Sequence, residues 1–286
     1  MKKIFTILGL VMISLLMSGC RSDSMENIQI YTSVYPIEYV TERIYGDYST
    51  INSIYPQGIN PYEYKLTNKQ LEDYSDSDLV IYDGLDKEKE IIVEMLNKNN
   101  YLKIIDATNK IDVQYDPDEI WINPSNMLMI TKNIRDGFNE YVSSELIKNN
   151  IEKNYEKLRI EISSLDAELK EMVLNSKERT LIVSSNQFKF LEKYGLNIIS
   201  LDDTTFTEKQ YSDANDYAGS GQIKYIYLKK GEEPNEHVNR LKETYPDLQI
   251  QYIDTLNNIS TNDKKEGIDY FTIMNDNIDK LKQELY

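Results

Sequence analysis

One uninterrupted stretch, residues 143–176, constrains the fold of this chain more than any other feature. It contains no glycine and no proline. Its apolar side chains recur every three or four residues, which places them on one helical face: Ile147, Ile151, Tyr155, Leu158, Ile162, Leu165, Leu169 and Met172. Such a helix would be roughly 50 Å long at about 1.5 Å per residue. It could be a surface helix, a short coiled coil or a rigid spine between two lobes, and the patterns on either side favour the spine.

Both flanking halves alternate short β-branched runs with helical patterns. Before the spine, strands are predicted at 28–34, 50–55, 79–82 and 102–106, and helices at 37–44, 68–75 and 87–97. Beyond it, strands are predicted at 180–184, 197–201, 223–228 and 249–253, and helices at 188–194, 209–217, 236–245 and 267–286. Alternation of this kind predicts parallel βα units. The predicted fold is therefore α/β, with two lobes that each hold a mostly parallel sheet flanked by helices and are joined by one long helix.

Two local predictions concern the ends of helices. Thr67 is the expected N-cap of the helix at 68–75, because its side chain can accept a hydrogen bond from a free backbone N–H of the first turn. The segment 112–124 is expected to be irregular, with Ser125 as the N-cap of a helix at 126–141 that leads into the spine.

The first twenty residues have the pattern of an export signal. Lys2 and Lys3 precede a mostly apolar run that is too short to span a bilayer comfortably, and Ser18, Gly19 and Cys20 follow it. The last three residues resemble the lipobox of bacterial lipoproteins, in which the cysteine becomes the first mature residue and carries lipid. The predicted organisation is a signal peptide (1–19), a lipidated tether (20–27), an N-terminal lobe (28–142), a linking helix (143–177) and a C-terminal lobe (178–286). An ordinary signal peptide that contains a cysteine is the alternative.

The charge of the chain limits its partners. Without the two leader lysines, 30 basic residues face 48 acidic ones, a net charge of about −18. Nucleic acid is excluded as a partner because its phosphates would be repelled, and a cation is the more favourable ligand. Cys20 is the only cysteine of the chain, so the folded part has no disulfide and no thiolate metal site.

Several segments resemble the metal-binding lipoproteins of bacterial zinc and manganese ABC transporters, the ZnuA/TroA/PsaA type. Residues 56–64 read PQGINPYEY and match the family's P-x-G-x-x-P-H-x-Y loop, with tyrosine at the histidine. Residues 119–126 read EIWINPSN and match its H-x-W-x-D-P-x-N segment, with glutamate at the histidine. Further matches are YTSVYPI at 31–37, DLVIYDGL at 78–85 and YFTIMNDN at 270–277. The resemblance implies two α/β lobes, one connecting helix and a ligand site in the cleft.

The resemblance also implies a metal site with one donor from each of four loops. Its donors would be Tyr62, Glu119, Ser185 and Asp254, where Asn186 replaces Ser185 if the alignment slips by one residue. Only Asp254 is of the type usual in the family. The single histidine, His237, matches no ligand of the family and is expected to be a solvated helix residue.

The chemistry of this donor set disfavours zinc, which prefers nitrogen and sulfur ligands. Oxygen donors suit harder cations, so a divalent cation, manganese rather than zinc, or ferric iron is expected. Two alternatives remain open. Tyr62, Tyr64 and Trp121 could line the cleft for an organic ligand, or the site could be dead and bind no cofactor or cargo at all.

These observations lead to two hypotheses about function. The first is a lipid-anchored, monomeric substrate-binding protein on the extracytoplasmic face of a bacterial cell membrane, which delivers a cation to the permease and ATPase of a metal-type ABC transporter. The second is a surface adhesin or other interaction protein that kept the scaffold and lost its metal. An enzyme is not expected, because the sequence carries no phosphate-binding loop, no nucleophile elbow and no zinc-hydrolase motif.

Overall fold

The computed structural model describes residues 25–61, 63–115, 117 and 119–286. Two four-stranded sheets form the centres of two lobes, and every strand pair in both sheets is parallel. The strand order is β2-β1-β3-β4 in the first sheet and β6-β5-β7-β8 in the second, so the two lobes share one topology. The predicted fold class is thereby confirmed.

The N-terminal lobe is built from alternating strands and helices. Its elements are β1 (Ile28–Thr32), α1 (Tyr35–Tyr45), β2 (Ser49–Ser53), α2 (Asn68–Ser75), β3 (Leu79–Tyr82), α3 (Asp86–Lys98), β4 (Lys103–Asp106), α4 (Glu119–Ile122) and α5 (Pro124–Tyr141). All four residues of β3 are buried, as expected for a central strand covered by helices on both faces. Thr67 caps α2 as predicted, since its hydroxyl accepts a hydrogen bond from the Gln70 amide at 3.2 Å.

The C-terminal lobe follows the spine helix. Its elements are β5 (Thr180–Val183), a 3₁₀ helix (Asn186–Tyr194), β6 (Asn197–Ser200), α7 (Glu208–Gly219), β7 (Tyr225–Lys229), α8 (Glu236–Thr244), β8 (Gln249–Ile253), α9 (Thr261–Lys265) and α10 (Tyr270–Leu285). The 3₁₀ helix ends at Gly195, whose φ of 101° is a conformation that glycine adopts without strain.

The spine is the helix α6 (Glu145–Leu174), capped by the Ser144 side chain. All eight apolar residues singled out by their spacing are buried, and Val173 joins them. The helix packs on α1 and α5 of the N-terminal lobe and on α10 and the 3₁₀ helix of the C-terminal lobe. Its apolar face is thus covered by this chain's own two lobes, which supports the spine interpretation over the coiled coil. Among the residues described, no helix combines the length and apolarity needed to cross a membrane.

Three sequence predictions in this part of the chain were wrong in detail. The helix after the irregular segment begins at Pro124, and its cap is Asn123, whose side-chain oxygen accepts the Ser125 amide at 3.2 Å. The segment predicted to be irregular contains the short helix α4. The helix expected at 188–194 is a 3₁₀ helix that begins at Asn186.

Candidate functional site

The carboxyl ends of the strands in both lobes meet at a cleft, which is where open parallel sheets usually bind ligands. One opening there has a volume of about 640 Å³. Its walls come from the N-terminal loop after β2 and from the loops after β7 and β8, and they are strongly polar: Gly58, Asn60, Lys229, Lys230, Gly231, Glu232, Asp254, Thr255, Asn257, Asn258, Ser260 and Asp263. We call this opening the interlobe cavity.

Asp254 follows β8 directly and lines the interlobe cavity. Its backbone is fixed by the Asn277 side chain, which accepts the Asp254 N–H at 3.0 Å and donates to its carbonyl at 2.8 Å. One carboxylate oxygen, Oδ1, accepts the Leu256 amide at 2.9 Å. The other, Oδ2, lies 2.8 Å from the Lys230 ammonium. The carboxylate is therefore held in place and already paired with a cation.

The other acids of the interlobe cavity are engaged with neighbouring groups. Glu232 Oε2 accepts hydrogen bonds from the Ser184 hydroxyl at 2.8 Å and the Lys229 amide at 3.0 Å. Asp263 belongs to a capping box with Ser260 at the start of α9. Two lysines and three acids give the cavity mixed charge rather than a single sign.

Glu119 lies at a different opening, of about 280 Å³, between the segment before α5 and the 3₁₀ helix. It is the first residue of α4 and is buried, and its Oε1 accepts the Gln114 amide at 2.9 Å. Lys189 and Lys193 line the same opening. The structure therefore places Glu119 at a cavity of mixed charge, different from that of Asp254.

The third predicted donor, Ser185, is buried and caps the 3₁₀ helix, where its hydroxyl accepts the Gln187 amide at 3.4 Å. The alternative, Asn186, donates from its side chain to Thr205 at 2.8 Å. Neither side chain lines either of the two openings described above. Burial alone would raise the pKa of the neighbouring Asp202, but hydrogen bonds from Thr204 and from the Asn186 amide hold it below its usual value.

Tyr62, the first predicted donor, lies outside the described residues, as does Cys20. The loop that carries Tyr62 is fixed on both sides of it, because the Lys87 ammonium donates to the carbonyls of Pro61 at 2.8 Å and Tyr64 at 3.0 Å. Asn258 of the C-terminal lobe also donates to the carbonyl of Ile59 in this loop, at 3.0 Å. The loop is thereby held against the cleft.

Taken together, the described donors do not form one cluster of acids. Within residues 25–61, 63–115, 117 and 119–286, no three His, Cys, Asp or Glu side chains converge on a position that could hold a metal ion. Tyr62 and Ser185 are not donors of those types, so the four-donor site stays a prediction. The aromatic alternative loses one member, because Trp121 is completely buried and its ring cannot stack on a ligand in the cleft.

His237 lies on a helix, as expected, but its side chain is only partly exposed to solvent. It sits at the second position of α8, with its side chain 20% exposed, and its ring stacks on Phe206 with centroids 3.4 Å apart. Its Nε2 lies 3.5 Å from Asp203. Its role is packing on the outer part of the C-terminal lobe.

Sequence reasoning missed a pair of buried carboxyl groups at the carboxyl end of β3. Asp83 and Glu88 are 1% and 4% exposed, and Glu88 Oε2 accepts the Asp83 amide at 3.1 Å. Burial and then the charge of Glu88 raise the pKa of Asp83 well above its ordinary value, and burial also raises the pKa of Glu88. The only hint in the sequence was an acidic residue on each side of Gly84. Acidic residues are common in turns, so this pattern did not indicate a buried pair.

Two lobes of one topology, a rigid helix between them and a polar cleft at the strand ends define the class of two-lobed binding proteins. The sequence profile of the family described as "Zinc-uptake complex component A periplasmic" matches residues 30–284. The chain belongs to this family.

Individual relatives agree with this assignment at low identity. The manganese ABC transporter substrate-binding lipoprotein PsaA of Streptococcus anginosus is 24% identical, with 100% of this chain and 99% of PsaA covered. The zinc-binding lipoprotein AdcA of Streptococcus pneumoniae is 22% identical over 99% of this chain, but the chain spans only 61% of AdcA. Among solved structures, the lipoprotein YcdH of Bacillus subtilis superposes with a TM-score of 0.75 at 21% identity, over 91% of this chain and 99% of YcdH. The structural likeness establishes the fold.

Proposed function

We propose that this chain is the substrate-binding component of a metal-type ABC transporter, which captures a divalent cation in the interlobe cavity and passes it to a permease powered by an ATPase. The role is capture and delivery rather than catalysis, in keeping with a family of uptake-complex components. The observation that carries the proposal is Asp254, a carboxylate held at the rim of the cleft where the family resemblance requires an acidic donor.

The donor chemistry favours manganese over zinc as the cargo. Tyr62, Glu119, Ser185 and Asp254 offer oxygen only, which suits Mn²⁺ or, with a tyrosine phenolate, Fe³⁺. Because Glu119 and Asp254 line separate openings, we expect cation binding to begin at Asp254 and to draw the remaining donors in as the lobes adjust. The zinc and manganese named for the relatives support a divalent cation without selecting one.

The proposed location in the cell rests on the export signal in the first twenty residues. We propose that Cys20 carries lipid and anchors a monomer to the extracytoplasmic face of the cell membrane, with residues 20–27 as the tether. Delivery to a permease in the same membrane then needs only lateral movement of the protein and docking of its two lobes.

A second candidate is an adhesin or other interaction protein that has lost its metal. One observation favours it: Lys230 already neutralises Asp254, so the cleft does not need a metal ion to balance this carboxylate. Direct measurement of cation binding separates the two candidates.

The test is elemental analysis of the purified mature protein, followed by melting curves with Mn²⁺, Zn²⁺, Ca²⁺ and Fe³⁺. A cation at about one hundred times its Kd stabilises the folded state by about 2.7 kcal/mol, which is a rise of about 5–10 °C for a protein of this size. Mn²⁺ should give the largest rise, and Asp254→Asn should abolish it. Asp203→Asn, at an exposed acid outside the cleft, is the matched control and should keep the rise. No rise with any cation would refute transport of a metal and favour the second candidate.

A further inference from the structure

The ion pair between Lys230 and Asp254 joins the ends of two neighbouring strands inside the cleft. Lys230 is the first residue after β7, and Asp254 is the first after β8. The Lys230 amide donates to the Ile253 carbonyl at 2.8 Å, so the parallel ladder brings the two side chains together. The ammonium nitrogen then lies 2.8 Å from Asp254 Oδ2. Both residues line the interlobe cavity.

We propose that Lys230 is a built-in competitor of the cargo: its ammonium occupies Asp254 in the empty cleft, and an incoming cation has to displace it. Lys230 thereby sets the affinity of the site and the kind of cation that it admits. This inference rests on the proposed function, since it assumes that Asp254 is a donor to the cation.

The two partners differ in mobility in the way that displacement requires. The Asp254 side chain is 16% exposed and is held by the Asn277 side chain and the Leu256 amide. The Lys230 side chain is 65% exposed and stands on a flexible four-carbon stem. The lysine can therefore swing into solvent while the carboxylate stays in position.

The charges of the cavity favour such an exchange. Asp263 and Asp276 also attract the Lys230 charge, so the displaced ammonium remains among acids rather than against a positive surface. An ion of charge +2 interacts about twice as strongly with a carboxylate at equal distance as an ammonium does. A monovalent ion has no such advantage over the tethered lysine, so we expect the pair to reject Na⁺ and K⁺ and to admit divalent or trivalent cations.

Calorimetric titration with Mn²⁺ tests the inference, at one pH and one ionic strength, on the mature protein and three variants. Lys230→Gln removes the competitor and should bind Mn²⁺ about tenfold more tightly than the wild type, equivalent to about 1.4 kcal/mol. Lys229→Gln removes the same charge from the same cavity and leaves the pair of Lys230 and Asp254 in place, so it should change the affinity by less than about threefold. Lys230→Arg keeps the pair and should bind no more tightly than the wild type.

Each result has a distinct meaning. Tighter binding by Lys230→Gln alone supports the inference, including the case in which the wild type binds too weakly to measure. An equal gain in Mn²⁺ affinity in Lys230→Gln and Lys229→Gln would overturn the inference and leave the proposed function intact. Loss of one positive charge anywhere in the cavity would then explain both results. Binding by none of the four proteins would overturn the inference and the proposed function together. Because the Lys230 side chain is mostly exposed, its variants should fold like the wild type. Melting curves without metal verify this.

Discussion

At the scale of single residues, the buried pair Asp83 and Glu88 is the least expected feature. Two carboxyl groups this close cannot both be charged at low cost, so the pair retains a proton. Burial raises the pKa of both groups, while the hydrogen bond between the two side chains raises the pKa of Asp83 and lowers that of Glu88, as expected when Asp83 is the donor. Glu88 in turn accepts the Asp83 amide. The pair thus fixes the turn between β3 and α3, next to the Lys87 side chain that holds the Tyr62 loop.

This protonation makes a prediction about pH. An acid whose pKa is raised on folding binds its proton more tightly when folded, so its contribution to the free energy of unfolding decreases as pH rises above about 4 toward the folded pKa. In Asp83→Asn an amide N–H replaces the acid O–H, and this decrease should disappear. Urea unfolding at several pH values between about 4 and 7 should show the variant gaining stability over the wild type as pH rises.

The matched control for this prediction is Asp73→Asn, which removes an exposed carboxylate from α2. The stability of this variant should follow that of the wild type across the same pH range, within about 0.5 kcal/mol. A constant difference between Asp83→Asn and the wild type at all pH values would contradict the shared proton.

At the scale of secondary-structure elements, the spine α6 buries more apolar side chains than any other helix among the described residues. Leu158 is completely buried in the middle of α6. Leu158→Ala should lower the free energy of unfolding by about 3 kcal/mol, because it removes buried methyl groups and leaves a cavity. Lys157→Ala, one position away on the exposed face, should change it by less than about 0.5 kcal/mol. Chemical denaturation measures both, and equal effects would mean that the helix is not packed between the lobes.

The elements were predictable to different degrees, and the differences have physical causes. The buried face of the spine could be predicted residue by residue, because apolar residues spaced by three and four over many turns fit only one face of a helix. The buried strand at 79–82 and the partly exposed strand at 249–253 also matched, since turn residues bound them on both sides. The start of α5 could not be fixed, because Asn123, Pro124 and Ser125 are all acceptable near a helix start and only the observed hydrogen bond decides for Asn123. The sequence could not distinguish the 3₁₀ helix from an α-helix, because its apolar spacing fits both.

At the scale of the whole molecule, the candidate site depends on contacts that no local pattern encodes. The parallel sheets followed from the alternation of strands and helices, and the cleft followed from the family resemblance, but the order of the strands was not predicted. The pairing of Asp254 with Lys230 was not predicted either, because it requires the register of β7 against β8. Likewise, Glu119 shares its opening with Lys189 and Lys193 of the opposite lobe, which the sequence did not indicate. Of the predicted donors, Asp254 lines the interlobe cavity, whereas Glu119 lies at another opening, and the partners of both could not be read from the sequence.

The lobes also contact each other across the mouth of the cleft, away from the spine. The Thr261 hydroxyl lies 2.6 Å from the Gln57 side-chain oxygen, and the Asn258 side chain donates to the Ile59 carbonyl. Beside them, the Lys264 ammonium is 2.5 Å from Glu38 of α1, whose side chain is only 9% exposed. We call these three contacts the interlobe clasp. It holds the loop of Tyr62 against the C-terminal lobe, so opening of the cleft has to break it.

The last prediction concerns the energy of the interlobe clasp. Lys264→Gln leaves the buried Glu38 carboxylate without its partner, and the combined variant with Glu38→Gln removes both charges. A double-mutant cycle from urea unfolding should therefore give a coupling energy of about 2 kcal/mol between the two residues. Lys265→Gln, on the exposed side of α9, should show no coupling to Glu38→Gln. A coupling below about 0.5 kcal/mol for Lys264 would mean that the lobes meet at the clasp without being held there, and that the spine alone sets the width of the cleft.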